Sequence, residues 1–106
     1  MFSLRIEHAV KDFRMWMHAF DRDVLNRGAS GVRSYKISRP LDEKNHAILE
    51  LDFDTEEAAA EFLLRLQNDL WKTNLMSQAL AGPPSTTIIE TVALETLADP
   101  SSQGSR

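Results

Sequence analysis

The fold is decided by residues 47–70, which read AILELDF (47–53), DTEE (54–57) and AAAEFLLRLQNDL (58–70). In the first part every second residue is apolar, which is typical of a half-buried strand. In the last part apolar residues recur every three or four positions, which is typical of an amphipathic helix. Asp54 is a suitable N-cap, and Glu57 would complete a capping box. The stretch therefore predicts a strand that leads directly into a helix.

Further strands and helices are predicted on both sides of this stretch. Phe2–Val10 alternates and predicts a first strand. Asp12 can cap a helix that begins at Phe13, where apolar residues follow at helical spacing. Residues 40–45 have the composition of a turn and would join two strands as a hairpin. The remaining predicted elements are strands at Val32–Arg39, His46–Phe53 and Ser85–Leu94 and a short helix at Thr73–Ala81.

The helix after Asp54 has two apolar stripes, although a surface helix needs only one. The second, narrower stripe holds Ala60, Leu64 and Trp71. It predicts a contact with a neighbouring segment or with a second subunit. An alternative role for Trp71 is to cover a pocket.

The order of the elements, β-α-β-β-α-(α)-β, is that of the split βαβ, ferredoxin-like fold of the α+β class. With right-handed crossovers the four strands lie antiparallel in the order 4-1-3-2, and the helices cover one face of the sheet. Residues 1–94 are expected to form a single domain, and the polar residues 95–106 a C-terminal tail. The other face of the sheet would carry a mixed set: Arg5, Glu7, Ile48 and Glu50.

The composition restricts the classes of function. The 106 residues are enough for one ordinary domain, and the net charge of -4 argues against a nucleic-acid partner. The absence of cysteine excludes disulfides, thiolate metal sites and cysteine nucleophiles. The N-terminus lacks the pattern of a signal peptide, and no apolar run approaches the length of a membrane span. We therefore expect a cytoplasmic protein without a membrane partner.

Several short motifs are spread along the chain rather than gathered in one catalytic signature. They are His8-x-Val10-x-Asp12-Phe13-x-x-Trp16, Arg27-Gly28-Ala29-x-Gly31-Val32, Arg39-Pro-Leu-Asp42-Glu-Lys-Asn45, the stretch 49–62, and Gly82-Pro83-Pro84. In these motifs the chain resembles small proteins of the dimeric α/β-barrel superfamily, over about residues 3–94. The resemblance covers nearly the whole predicted domain.

The resemblance implies a homodimer in which two ferredoxin-like sheets pack face to face into a barrel. Members include cofactor-independent quinone-forming monooxygenases, haem-degrading monooxygenases, muconolactone isomerases and polyketide cyclases. The haem-degrading members have an asparagine on the first strand, and this chain has none there, which disfavours that activity. A mixed sheet face is unusual for such an interface. Charge pairs between the subunits, such as Arg5 with Glu50 or Glu90, would reconcile it.

His8 is the candidate catalytic residue, because an imidazole near the end of a central strand could serve as a general base near neutral pH. We expect His46, at the start of a neighbouring strand, to lie close to it. The alternative is a structural histidine, hydrogen-bonded to the backbone or to Asp12. Two histidines without a placed carboxylate predict no metal site.

Trp16, Tyr35 and Phe62 are predicted to line a pocket for a small apolar or aromatic ligand between the helices and the sheet. For Trp16 the alternative is ordinary core packing, since large aromatic residues dominate cores. For Tyr35 the alternative is a strand aromatic with a solvated hydroxyl.

Two functions remain open at this point. The first is a small-molecule enzyme of the monooxygenase or cyclase type that needs no cofactor, with His8 as base or hydrogen-bond donor. The second is a non-catalytic dimeric module that binds a ligand or only assembles, because no clear acid, base and orienting group stand together. A cavity beside His8 would favour the first function. An RNA-binding module is disfavoured, because the third strand is acidic and lacks the basic-Gly-aromatic pattern by which such modules stack bases.

Overall fold

The computed structural model describes residues 1–23, 25–71 and 81–98, and they form a four-stranded antiparallel sheet with two helices. The spatial order of the strands is β2-β3-β1-β4, which is the predicted order 4-1-3-2. The ferredoxin-like, α+β prediction is confirmed. The elements are β1 (Phe2–Ala9), α1 (Phe13–Asp21), β2 (Val32–Ser38), β3 (His46–Phe53), α2 (Glu56–Arg65), a π-helical turn (Leu66–Leu70) and β4 (Ser85–Glu90).

Most predicted bounds agree with the structure to within one or two residues, and the exceptions lie towards the C-terminus. β4 ends at Glu90, four residues earlier than predicted, and residues 91–98 continue without regular structure. The predicted helix Thr73–Ala81 falls almost entirely outside the described ranges. The boundary between domain and tail at residue 94 stays a prediction. Within the described ranges, no helix has both the length and the apolar character that crossing a membrane requires.

β1 lies in the centre of the sheet and determines which side chains face the helices. Its even-numbered residues pair with apolar residues of β3, as in Leu4 with Leu51 and Ile6 with Leu49. These side chains point to the helices and are almost fully buried. The largest fully buried side chains are Trp16, Phe53, Leu4, Ile6 and Leu51. The core therefore lies between one face of the sheet and the two helices.

The two helices begin at different kinds of cap. Asp12 caps α1 as predicted, since its Oδ1 accepts a hydrogen bond from the Met15 N–H at 3.1 Å. The predicted Asp54 cap of α2 is wrong, because Thr55 is the N-cap and its Oγ1 accepts from the Ala58 N–H at 3.1 Å. Asp54 instead accepts a hydrogen bond from Arg33 Nε at 2.8 Å, across the β2–β3 pair. Both residue types cap helices well, so a tertiary contact decides between them.

The face of the sheet away from the helices, here called the open face, carries a network of polar contacts. The Ser3 and Ser34 hydroxyls both donate to Asp52, at 2.6 and 2.8 Å. Arg5 lies between Glu50, at 2.8 Å, and Glu7, at 3.1 Å. The pair of Arg5 with Glu50, expected between two subunits, therefore forms within one chain. Glu90 is not on this face, because it pairs with Phe2, whose side of the strand faces the helices.

Candidate functional site

A cavity of about 50 Å³ lies between the sheet and the helices. A site of that size accommodates a few water molecules or one small polar group. Its wall is mostly apolar, and among the described residues its polar members are His8, Trp16, Arg27 and Trp71. The apolar members are Ile6, Ala19, Phe20, Leu25, Leu49, Leu51, Phe62, Leu66 and Leu70.

His8 reaches the cavity from β1, where it stands opposite Ala47. Its side chain is buried, and neither ring nitrogen has a hydrogen-bond partner among residues 1–23, 25–71 and 81–98. Burial, with a smaller contribution from the charge of His46, lowers the pKa of His8 from 6.5 to about 4. The imidazole is therefore neutral at pH 7. The expected contact with Asp12 is absent, because that carboxylate caps α1.

Trp16 brings a second buried polar group to the same wall. Its side chain is 1% exposed, and its indole N–H also has no partner in the described part of the chain. Its ring meets the His8 ring edge to face, with 5.6 Å between the centroids. Buried groups without partners are rare, because each costs about 1–3 kcal/mol. Two of them beside one cavity indicate a site at which water or a ligand completes the hydrogen bonding.

A row of rings extends from His8 towards the surface. Trp16 stacks on Phe20, with 5.4 Å between the ring centroids and 22° between the ring planes. The Arg27 guanidinium lies over the Phe20 ring, 3.8 Å from its centroid. Phe62, from α2, lines the cavity and packs against Phe53 at 5.7 Å. The row therefore has an imidazole at one end and a cation at the other, and its rings pack against one another rather than lying in one plane.

Tyr35 is not brought to the cavity. Its side chain is on the helix side of β2, opposite Leu51, as the alternation predicts. However, β2 is an edge strand, so the ring lies outside Phe20, which it meets edge to face at 5.0 Å, and it is 49% exposed. The structure thus agrees with the alternative of an exposed strand aromatic.

Trp71 lines the cavity, although an unbroken α-helix would place it on the second stripe. Its N–H donates to the Leu66 carbonyl, five residues earlier, at 2.8 Å, which closes a π-helical turn. In an α-helix the fifth residue lies about 140° around the axis. In a π turn the fifth residue takes roughly the place that the fourth residue has in an α-helix, on the same side as the first, and Leu66 is buried in the core. The pocket alternative therefore holds for Trp71, whereas Leu64 of the second stripe stays exposed.

Arg27 belongs to the site but carries no recognisable signal in the sequence, where it is simply the residue before Gly28. It stands in the loop between α1 and β2, and its side chain is 16% exposed. Its Nη1 donates to the Phe20 carbonyl at 2.7 Å, and its Nε lies 3.5 Å from Asp23. The motif around residues 27–32 predicts the end of a helix and does not reveal that this cation folds back over the helix.

The same loop is attached to α2 by a second arginine. Arg65 donates to the Ser30 hydroxyl at 2.6 Å and to the Leu25 carbonyl at 3.3 Å. The Ser30 hydroxyl in turn donates to the Leu25 carbonyl at 2.8 Å. Leu25 and Leu66, which line the cavity from these two segments, are therefore held next to each other.

His46 does not share the site with His8. It pairs with Ala9, one position along from His8, so that its side chain lies on the open face, 3.5 Å from Glu7. The expectation that the two histidines lie together is therefore wrong, because neighbouring positions of a strand face opposite ways. No group of three metal-ligating side chains occurs in the part of the chain that the structure describes.

Comparisons with known proteins bear on the fold. Neither a protein-family model nor a curated protein matches the sequence. Solved structures do match. A protein from Nitrosomonas europaea, provisionally described as an antibiotic biosynthesis monooxygenase, is 18% identical with a TM-score of 0.60, over 88% of this chain and 100% of that one.

Two further solved structures match to a similar degree. A dimeric ferredoxin-like protein from an uncultured marine organism is 11% identical with a TM-score of 0.62, over 92% of this chain and 100% of that one. SnoaB from Streptomyces nogalater, a cofactor-independent oxygenase, is 13% identical with a TM-score of 0.61, over 92% of this chain and 97% of that one. At these identities the matches confirm the resemblance at the level of the fold.

Proposed function

We propose that this chain is a cytoplasmic, homodimeric small-molecule enzyme of the monooxygenase or cyclase type that needs no cofactor. Its cavity between helices and sheet would bind a small aromatic ligand that bears a hydroxyl or carbonyl group. The observation that carries the proposal is the pair of buried, unpartnered groups, His8 and Trp16, on an apolar wall. The fold shared with a cofactor-independent oxygenase supports the reaction class by analogy only.

The low pKa of His8 determines what its imidazole does to a bound ligand. A phenol has a pKa of about 10, so full proton transfer to a group of pKa about 4 would cost about 8 kcal/mol. Before any proton moves, the neutral imidazole of His8 therefore accepts a hydrogen bond from the ligand's hydroxyl and orients it. It becomes a base only when the resulting anion stands beside the imidazolium and raises its pKa.

The size of the cavity sets a further condition. A cavity of about 150 Å³ is known to admit benzene, which is about three times the volume found beside His8. Binding of an aromatic ring therefore requires the wall to widen. Small single-ring compounds are the appropriate first probes, because they need the smallest displacement.

The segment after β4 supports the homodimer. Val92, Leu94 and Leu97 are each at least 80% exposed, which is costly for a chain that stays alone in water. A second copy would cover these residues and the open face together. The dimeric fold neighbour is consistent with this assembly. Sedimentation at micromolar concentration is expected to give twice the mass of the chain, and a monomer would contradict the dimer.

The two tryptophans of the chain both line the cavity, so they report on binding without any label. We expect phenol to shift both indole N–H cross-peaks in ¹H–¹⁵N spectra and to bind more tightly than toluene, which has the same shape but no hydroxyl. His8→Leu is expected to remove the preference for phenol while toluene still binds. If neither compound moves either indole signal, the proposed ligand site does not exist.

Turnover separates the two functions that the sequence leaves open. The enzyme is expected to accelerate oxygen uptake by 1,4-dihydroxybenzene above the protein-free rate, with His8→Ala slowing it. The alternative function, a non-catalytic ligand-binding module, is favoured by the absence of a carboxylate among the described cavity residues to orient His8. Binding without any acceleration would support this alternative.

A further inference from the structure

Arg27 is an unusual component of a mostly apolar wall. Its guanidinium lies 3.8 Å from the Phe20 centroid and 5.2 Å from that of Tyr35, and the side chain is mostly withdrawn from solvent. Its counter-ion, Asp23, is 3.5 Å away with a side chain that is 41% exposed. Such a pair is strongly hydrated on one side and contributes little. The positive charge at this wall is therefore only partly neutralised by the protein.

The other described residues of the cavity add no charge of either sign. His8 is neutral at pH 7, and the lining contains no aspartate or glutamate in the described ranges. The whole chain carries a net charge of -4, so a general attraction for anions does not exist. A preference of this cavity for an anion would have to come from Arg27.

We propose that the ligand is a flat ring acid, whose carboxylate binds Arg27 and whose hydroxyl, at the other end of the ring, binds His8. This inference rests on the proposed function, since it assumes that the cavity admits an aromatic ligand. His8 and Arg27 both line the cavity and stand at the two ends of a row of contacting rings, with Trp16 and Phe20 between them. A guanidinium binds a carboxylate through two parallel hydrogen bonds.

A carboxylate fits better than a phosphate for two reasons. One guanidinium balances one negative charge, whereas a phosphate dianion needs further donors that the apolar lining does not supply. A carboxylate is also planar and continues the plane of an aromatic ring, so it adds less bulk than a tetrahedral phosphate to a ligand that must enter a cavity of about 50 Å³. The ligand class is therefore a hydroxylated aromatic carboxylate.

The test compares 4-hydroxybenzoate with 4-hydroxybenzamide, which has the same shape without the charge, by following the two indole cross-peaks. The wild-type protein is expected to bind the acid about tenfold or more tightly than the amide. Arg27→Gln should remove this preference by weakening binding of the acid much more than binding of the amide. Arg22→Gln, which removes an exposed cation next to the same loop, should keep the wild-type preference.

Several results would overturn the inference. Equal binding of acid and amide to the wild-type protein would do so and would leave the ligand site itself intact. An equal loss of both ligands in Arg27→Gln would assign Arg27 a structural role. If Arg27→Gln does not fold, the inference is tested by the preference of the wild-type protein for the acid over the amide and by whether Arg27→Lys retains that preference. Failure of both compounds and of phenol to shift the indoles would instead remove the proposed function.

Discussion

The two faces of the sheet treat polar groups in opposite ways. On the open face, Ser3, Arg5 and Glu7 of β1 each bond to a neighbouring side chain. On the helix face, His8 of the same strand is more deeply buried than Arg5 or Glu7 and has no partner within the described ranges. The open face is electrostatically complete within one chain, whereas the helix face is not. We therefore expect ligand binding and catalysis on the helix face, where buried polar groups lack hydrogen-bond partners in the described ranges.

The largest expected effect on stability comes from changing which residues of α2 face the sheet. Deletion of Glu61 would rotate the following residues by about 100° and remove Phe62 and Leu66 from the core, at a cost on the order of 3–5 kcal/mol. Deletion of Asn68 would only convert the π turn to an α turn, with Trp71 still on the core side, four residues after Leu66. Urea unfolding followed by circular dichroism measures both. Equal destabilisation would show that the π turn does not place Trp71.

The next effect concerns pH and isolates His8. Its pKa is lowered in the folded state, so the unfolded chain binds the proton more strongly and acid destabilises the fold. Stability is expected to fall as pH drops from 6.5 to about 4, by roughly 3 kcal/mol in total, and to level off below that range for this group. In His8→Leu this loss should disappear. An unchanged pH profile in that variant would contradict the buried, neutral imidazole.

The open face supplies the contrast within the same titration. Hydrogen bonds from Arg5, and then from His46, hold the pKa of Glu7 below its usual 4.5. Stability from this group is present above pH 4.5 and is lost as the pH falls through the lowered pKa. Because the Glu7 side chain is 38% exposed, salt should weaken its contribution, while the His8 step should not respond to salt.

The smallest effect is a difference in sign between two substitutions at neutral pH. His8→Leu replaces a buried group without partners by an apolar one of similar size, so we expect a gain of about 1–2 kcal/mol in stability together with loss of the phenol preference. Ser3→Ala removes a bonded hydroxyl from the open face and should cost about 1 kcal/mol. Chemical unfolding curves at pH 7 measure both. Destabilisation by His8→Leu would mean that water in the cavity already completes the hydrogen bonding of His8 when no ligand is bound.

Much of the fold can be predicted from the sequence, because it depends on local patterns. The alternation in Phe2–Ala9 and the Asp12 cap lead directly to β1 and α1. The opposite faces of His8 and His46 also follow from strand register, although we expected them to lie together. The position of Tyr35 depends on how far α1 extends over an edge strand, which no local pattern encodes.

The site itself is less predictable, because tertiary contacts determine it. Thr55 rather than Asp54 caps α2 because Arg33 engages Asp54 across the sheet. Trp71 joins the cavity through one extra residue in a helical turn, and hydrophobic periodicity at 3.6 residues per turn cannot register such an insertion. Arg27 enters through a loop that folds back on Phe20. Each of these depends on residues distant in sequence or on backbone irregularity.

The contacts of Arg65 have a consequence for how a ligand could enter the cavity. They join the loop before β2 to α2, so separating these two parts of the cavity wall would break both hydrogen bonds. Space for an aromatic ring would instead come from movement of the loop and α2 together, away from the sheet. Entry of a ligand is thus controlled by Arg65, a residue that does not itself line the cavity.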